Sequence, residues 1–330
     1  MKRFLTALLI LLTVICLLSA VSALILQQFV KTPQDTESDT ESQSNTEETV
    51  SGTMTQEETT NTSTITIPSE QLRSGQVFVY DVSASEFLYE KGTELPIAPA
   101  SITKLLTALY ALSVMPLDEL IQPRDELDLI AADSSIAYIK THHTLTLEML
   151  IEGMLLPSGN DAAYVVAAGT ARYVTGDPDM SGKAAVEYFM EQANKYAERL
   201  GCTGTHFKVP DGLVYEGHYT TAQDLVILAK KAMETPIIMK YTGIVTDKVF
   251  YASGHTMTWK NSNPLINPES SYYSPYVTGL KTGSLTDAYS VLVSAEIEER
   301  AYIIGLFDSP TWEGRYVDAK KILAELEKRS

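Results

Sequence analysis

Ser101 and Lys104 stand three residues apart in Ala98-Pro99-Ala100-Ser101-Ile102-Thr103-Lys104. On a helix that spacing puts the hydroxyl and the amine on one face. A serine is a weak nucleophile until a neighbouring base takes its proton. Lysine can be that base only if burial or a nearby cation lowers its pKa. At a helix start, the free backbone N–H of Ser101 can also face a developing oxyanion. About one S-x-x-K arises by chance in a chain this long, so the pair alone decides nothing. Ser158-Gly159-Asn160 offers a second hydroxyl for proton transfer and an amide to hold a carbonyl or orient a lysine. Asn160 could equally cap the helix that follows. Lys281-Thr282-Gly283 offers a cation and a hydroxyl to an anionic group, and a glycine past which a substrate backbone can approach closely. Its bland alternative is an edge strand ending in a polar turn. Only roughly a tenth of a K-T-G match is expected by chance.

These residues need elements to hold them. Residues 76–81 and 87–90 read as a hairpin around a turn at 83–86. Helical periodicity runs over 101–115, 147–155, 161–174, 184–200 and 221–233, with Gly201 as a stop for the fourth. Residues 276–282, 289–296 and 301–307 read as strands, and 314–328 as a closing helix. On a strand, Lys281 and Gly283 would face one way and Thr282 the other. Strands at both ends with helices between predict an α/β (α+β) fold, an antiparallel sheet flanked by helices with an inserted all-helical subdomain.

The chain has 330 residues, 45% of them hydrophobic, with 25 Lys+Arg against 42 Asp+Glu and a net charge of −17. That suffices for a large core and disfavours nucleic-acid binding, which needs a basic face. No H-E-x-x-H or Cys/His cluster is visible for a metal, and no dinucleotide, P-loop or G-x-S-x-G motif occurs. Met1-Lys2-Arg3 precedes an uncharged apolar stretch, Phe4 to Leu26, which as a helix would span about 35 Å, enough for a hydrocarbon core of about 30 Å. The flanking charges predict a cytoplasmic N-terminus and an exported remainder. Val21-Ser22-Ala23 keeps a cleaved signal peptide open as the alternative. Residues 31–65 hold 16 Ser or Thr, eight acidic residues and one Lys without an aromatic, the composition of a disordered spacer. The expected organisation is an anchor or signal at 1–30, a stalk at 31–65 and one domain at 66–330. Cys16 in the apolar segment cannot pair with Cys202 in that domain, so no internal disulfide is expected. His142 and His143 sit in a polar turn and read as surface; Cys202 reads as a small buried residue. Tyr272, Tyr273 and Tyr276 could line a cleft or simply pack.

The three motifs follow in order, 57 and 123 residues apart, at a helix start, an inter-helix loop and a strand. The chain thereby resembles the serine-active penicillin-binding proteins and β-lactamases. Four longer strings bring it nearest to the low-molecular-weight D-alanyl-D-alanine carboxypeptidases: Pro99-Ala100-Ser101-Ile102-Thr103-Lys104-Leu105-Leu106-Thr107-Ala108, Ser158-Gly159-Asn160-Asp161-Ala162-Ala163, Pro210-Asp211-Gly212-Leu213 and Gly279-Leu280-Lys281-Thr282-Gly283. These landmarks cover roughly residues 75–310. The resemblance implies a transpeptidase-like fold and a bacterial enzyme that removes the terminal D-alanine from peptidoglycan stem peptides. It implies Ser101 as nucleophile, Lys104 as its base, Ser158 as proton relay and Asn160 on the substrate amide. Lys281 and Thr282 would receive the terminal carboxylate, and the N–H groups of Ser101 and Ser284, after Gly283, would form the oxyanion hole. β-Lactams would acylate Ser101, and neither metal nor organic cofactor is needed. The domain would act outside the cytoplasm, held by the N-terminal segment or released if that is cleaved.

The resemblance has departures and rivals. Tyr289 falls where glycine is common, which would narrow the pocket or alter its loop, and Val209 precedes Pro210 where asparagine is usual. About 47 residues follow Gly283, so attachment is expected at the N-terminus. A β-lactamase of class A would need E-x-x-L-N between Asn160 and Lys281, which is absent. A D,D-endopeptidase would use the same residues on cross-links. A β-lactam sensor that does not turn over would be expected to join a cytoplasmic module, and three residues precede the apolar segment.

Overall fold

The two ends of the domain meet in one sheet. The structure, a computed structural model, describes residues 65–213 and 216–329. Strands β1 (Gln76–Asp81) and β2 (Glu86–Lys91) form the early hairpin, and β7 (Val277–Ser284), β8 (Tyr289–Ile297) and β9 (Arg300–Ser309) arrive about 190 residues later. Their order is β2-β1-β9-β8-β7, every neighbour antiparallel. β7 is therefore an edge strand. The β8–β9 turn is made by Glu298 and Glu299, both at positive φ (46° and 66°), the tight geometry whose twist matches that of the strands it joins.

Alternation along the strands decides what each face covers. Val77, Val79, Val291, Val293, Ile304 and Leu306 face α7 (Gly314–Glu327), which returns Tyr316, Ala319, Ile322, Leu323 and Leu326. Phe78, Leu280, Leu292, Ile303 and Phe307 face the opposite, larger core. The helices of that core are α1 (Lys104–Val114), α2 (Leu147–Leu155), α3 (Asn160–Thr175), α4 (Gly182–Leu200), α5 (Ala222–Met233) and α6 (Pro236–Thr242). α3 is buried from Asn160 through Arg172, and its Ala- and Gly-rich surface lets neighbours approach closely; a Cβ on Gly169 would meet Ile121 at 2.8 Å. Thr146, Ser181 and Thr221 accept N–H bonds at the starts of α2, α4 and α5. Gly201 ends α4 in the left-handed region at φ 101°, as its position predicts.

The insertion is not purely helical. It also carries the ribbons β3 (Leu120–Ile121) with β4 (Leu145–Thr146), and β5 (Thr246–Phe250) with β6 (Thr256–Lys260). Ile65, assigned to the stalk from sequence, is buried and its N–H bonds Leu88 O at 2.9 Å, so it belongs to the folded part. The segment 1–30 and the rest of the stalk lie outside the described residues. Among the described residues no helix is long and apolar enough to cross a membrane. Cys202 is buried, which pushes its thiol pKa up to about 12. His142 is exposed as expected, but His143 is buried.

Candidate active site

Ser101 lies in a 3-10 turn, Ala100–Thr103, and Lys104 opens α1 behind it. The expected helix thus starts three residues late, because Ala100 takes positive φ (50°) after Pro99. The turn still brings the pair together: Lys104 Nζ donates to Ser101 Oγ at 2.7 Å. The same ammonium donates to Asn160 Oδ1 at 2.7 Å and to the Asp211 carbonyl at 3.0 Å. Lys104 is fully buried. Burial pulls its pKa down to about 8, against the opposing pull of the Asp211 and Asp161 carboxylates. A lysine near neutrality, in contact with a hydroxyl, can take its proton.

Asn160 does not cap its helix. Gly159 occupies the cap position of α3, and the Asn160 side chain bridges Lys104 and Ser134, donating from Nδ2 to Ser134 Oγ at 2.9 Å. Ser158 enters this corner at φ 63° and lines the cleft, a conformation costly for serine and held by its surroundings. Asp161 takes three backbone N–H groups, from Ala137 (2.7 Å), Ile139 (2.9 Å) and Ala162 (2.9 Å). It thereby pins the strip that carries Ser134.

Pro210-Asp211-Gly212 passes beneath the nucleophile. Thr107 Oγ1 donates to Pro210 O at 2.8 Å. Gly212 sits at φ 87°, where a Cβ would lie 1.8 Å from Ala100 O, so only glycine fits. The Asp211 carboxyl is buried, which raises its pKa despite Lys104 nearby.

β7 forms the facing wall. A Cβ on Gly283 would press 2.9 Å from Ala100 Cβ and 3.4 Å from Ser101 N, so the missing side chain lets this edge close on the nucleophile. Thr282 and Ser284 line the cleft, and Thr282 Oγ1 lies 2.7 Å from Ser262 Oγ. Lys281 is fully buried, near enough to Lys104 for the two charges to oppose each other, and Nζ donates to its neighbour's carbonyl, Thr282 O, at 3.1 Å. Burial, with Lys104 and Arg315 adding, pulls its pKa well down.

Sequence reasoning missed Arg315, a further buried cation, which borders the cleft. Arg315, from α7, donates to Gly283 O, to Ser290 O at 2.8 Å and to Ser284 Oγ at 3.3 Å. Nothing in Gly314-Arg315-Tyr316 advertises this. Tyr289, expected to narrow the pocket or alter its loop, lies against the Arg315 guanidinium, whose central carbon is 5.4 Å from the ring centre. Tyr272 packs against Trp312 and Tyr316, and the Tyr276 hydroxyl donates to Glu327. Ser134, Ser262 and Trp312 also line the cleft without a prior signal.

The cleft encloses about 270 Å³. Its described walls are hydroxyl, amide and carboxyl groups around one guanidinium, interleaved with Pro157, Leu213 and Trp312, with no histidine or cysteine. The arrangement can activate Ser101 and hold a small anionic acyl donor.

Comparison with known proteins agrees with this geometry. A Streptomyces protein named D-alanyl-D-alanine carboxypeptidase is 32% identical over 249 residues, 72% of this chain and 81% of that protein. Bacillus subtilis DacF, a D-alanyl-D-alanine carboxypeptidase, is 29% identical over 240 residues, 72% of this chain and 57% of its own length. For Escherichia coli DacA of the same name the figures are 26% over 273 residues, 77% and 60%. The chain thus spans only part of these two relatives. The fold matches a Streptomyces DD-transpeptidase with TM-score 0.70 and 27% identity, covering 79% of this chain and 98% of that one. It also matches Listeria monocytogenes penicillin-binding protein D2 in its ampicillin-bound form, with TM-score 0.63 and 25% identity over 78% and 99%. Residues 55–309 match the family whose description is D-alanyl-D-alanine carboxypeptidase, and the chain belongs to that family.

Proposed function

We propose that the protein is a serine-type D-Ala-D-Ala carboxypeptidase acting on peptidoglycan stem peptides. The observation that carries this reading is the buried Lys104 amine, 2.7 Å from both Ser101 Oγ and Asn160 Oδ1 at the cleft floor. Lys104 takes the Ser101 proton as Oγ attacks the carbonyl of the penultimate D-alanine. The N–H groups of Ser101 and Ser284 hold the oxyanion, and Asn160 holds the substrate amide. Ser158 gives its proton to the departing amine and takes the one held by Lys104, the C–N bond breaks, and free D-alanine leaves an ester on Ser101. Water then hydrolyses that ester. Thr282, Ser284 and Arg315 receive the terminal carboxylate, with Lys281 buried beside them. β-Lactams, which present a strained amide beside a carboxylate, acylate the same serine.

The domain works outside the cytoplasm in this reading, attached through the apolar segment 4–26 or released where that is cleaved. The test is release of free D-alanine from a stem pentapeptide, run beside a cross-linked peptide dimer and with Ser101→Ala as control. Pentapeptide turnover lost in Ser101→Ala is expected. Turnover of the dimer alone would assign an endopeptidase, and labelling by fluorescent penicillin that persists in Ser101→Ala would remove the nucleophile assignment.

A further inference from the structure

Three imidazoles meet where the β5–β6 hairpin touches the turn Lys140–His143. His255, at the hairpin tip, is 113 residues beyond His142 in sequence, so no linear motif announces the group. Ring centres lie 4.6 Å apart for His142 and His143, 4.6 Å for His143 and His255, and 5.1 Å for His142 and His255. One nitrogen from each falls within 4.8 Å of the others. His142 and His255 are exposed, so apolar burial is not what gathers them. His143 is buried and set against Tyr251, a fixed ligand with two adjustable ones beside it.

We infer that His142, His143 and His255 bind a divalent transition-metal ion, with zinc as the simplest occupant, fastening the β5–β6 hairpin to the segment beside the cleft. Tetrahedral zinc at about 2.0–2.1 Å from each nitrogen needs nitrogens about 3.3 Å apart, so the two exposed rings close by roughly 1.5 Å at most. Side-chain rotation supplies that, and water takes the fourth position. Imidazole nitrogen selects zinc, copper and nickel over magnesium or calcium. Two features restrain the affinity. The Lys140 ammonium adds a like charge near His143. The Lys140 N–H also bonds His143 Nδ1 at 3.1 Å. Ligation through Nδ1 replaces this bond, and ligation through Nε2 moves the ring proton against it.

The site reaches the cleft by a short route. Tyr251 adjoins Trp259 of β6, whose Nε1 donates to Ala137 O at 3.0 Å. Ala137 belongs to the strip pinned by Asp161. A bare two-stranded ribbon is marginal on its own, so a metal staple at its tip stiffens both partners.

The full chain, prepared without a histidine tag and stripped with chelator, should take up one zinc ion per chain and melt at a higher temperature with zinc than with magnesium. His142→Ala and His255→Ala, both at exposed positions, should leave metal-free melting unchanged and weaken zinc binding at least about tenfold. Zinc uptake equal in the wild type and in a variant carrying both His142→Ala and His255→Ala, or equal thermal shifts with zinc and magnesium, overturns the site. Neither readout depends on the peptidase reading.

Discussion

His218 Nε2 lies 2.9 Å from Thr103 Oγ1, next in sequence to Lys104, while the other ring nitrogen accepts the Lys208 N–H at 3.0 Å. With Nδ1 accepting, the hydrogen sits on Nε2 and the ring donates to Thr103. A neutral ring serves both bonds; a protonated ring would set a proton against the Lys208 N–H. Burial pulls the His218 pKa down to about 4, with the charges of His206 and Lys208 adding.

Acid should therefore loosen the floor of the site. An unfolded histidine takes a proton near pH 6.5, whereas His218 in the fold resists until about 4. Between those values unfolding takes up a proton, so stability present above pH 6.5 is lost as pH falls towards 4. The loss from this group is about 2–3 kcal/mol at pH 4.5. Urea unfolding of the wild type and His218→Gln at pH 7 and 4.5 checks it. The variant should be less stable at pH 7 and show a shallower fall; parallel falls would assign the acid sensitivity elsewhere.

The pH dependence of acylation tests Lys104. The base must be neutral, and its pKa lies at about 8. Roughly a tenth of the enzyme is competent at pH 7 and half at pH 8, so the penicillin acylation rate should rise through a limb centred near 8. Lys104→Ala should slow acylation by about 10²–10⁴-fold. A flat profile from pH 6.5 to 9 would mean that a different group takes the proton.

Much of this site was legible because its parts are local. Helical periodicity and a Ser–Lys spacing of three are short-range properties, and a turn that is 3-10 rather than α preserves the contact. The paired strand ends were legible from valine-rich apolar runs such as Val291-Leu292-Val293. Long-range approach was not. Arg315 matters because α7 crosses the sheet opposite Gly283, a fact of packing with no sequence period. The charge of Lys281 is explicit in the sequence, but its complete burial, its bond to Thr282 O and its closeness to Lys104 are not. The β5–β6 ribbon escaped notice because Thr246-Asp247-Lys248 and Thr256-Met257-Thr258 are mostly polar, and only Val249 and Trp259 are buried in the two strands. The histidine trio depends on that ribbon and was invisible with it.

Arg315 should separate binding from chemistry. Arg315→Leu leaves the buried Gly283 and Ser290 carbonyls without their donor and should cost about 2–4 kcal/mol, read as a lower melting temperature. It also removes the guanidinium from the cleft wall, so KM for D-Ala-terminated peptides should rise more than kcat falls. Arg315→Lys keeps the charge without the planar fork and should recover part of KM. An unchanged KM with a loss confined to melting temperature would make Arg315 structural only.

Asp161 tests whether the strip beside the cleft must be held for Lys104 to work. Its carboxylate accepts from Ala137, Ile139 and Ala162, and it is nearly inaccessible to water. Asp161→Asn keeps the shape but turns one acceptor into a donor, so an N–H of the strip loses its partner at a cost of about 1–3 kcal/mol. The strip carries Ser134, which receives the Asn160 amide, and Ser135, whose carbonyl accepts the Asn160 N–H at 2.8 Å. Loosening it should let Asn160 drift from Lys104 and slow penicillin acylation by about tenfold. Asp161 is one of the two carboxylates that oppose the burial of Lys104, so removing its charge should also move the limb below pH 8. Acylation slowed on the plateau above the limb is the signature of lost positioning, whereas a wild-type plateau with only the limb displaced would show that Asp161 acts on the base through its charge alone.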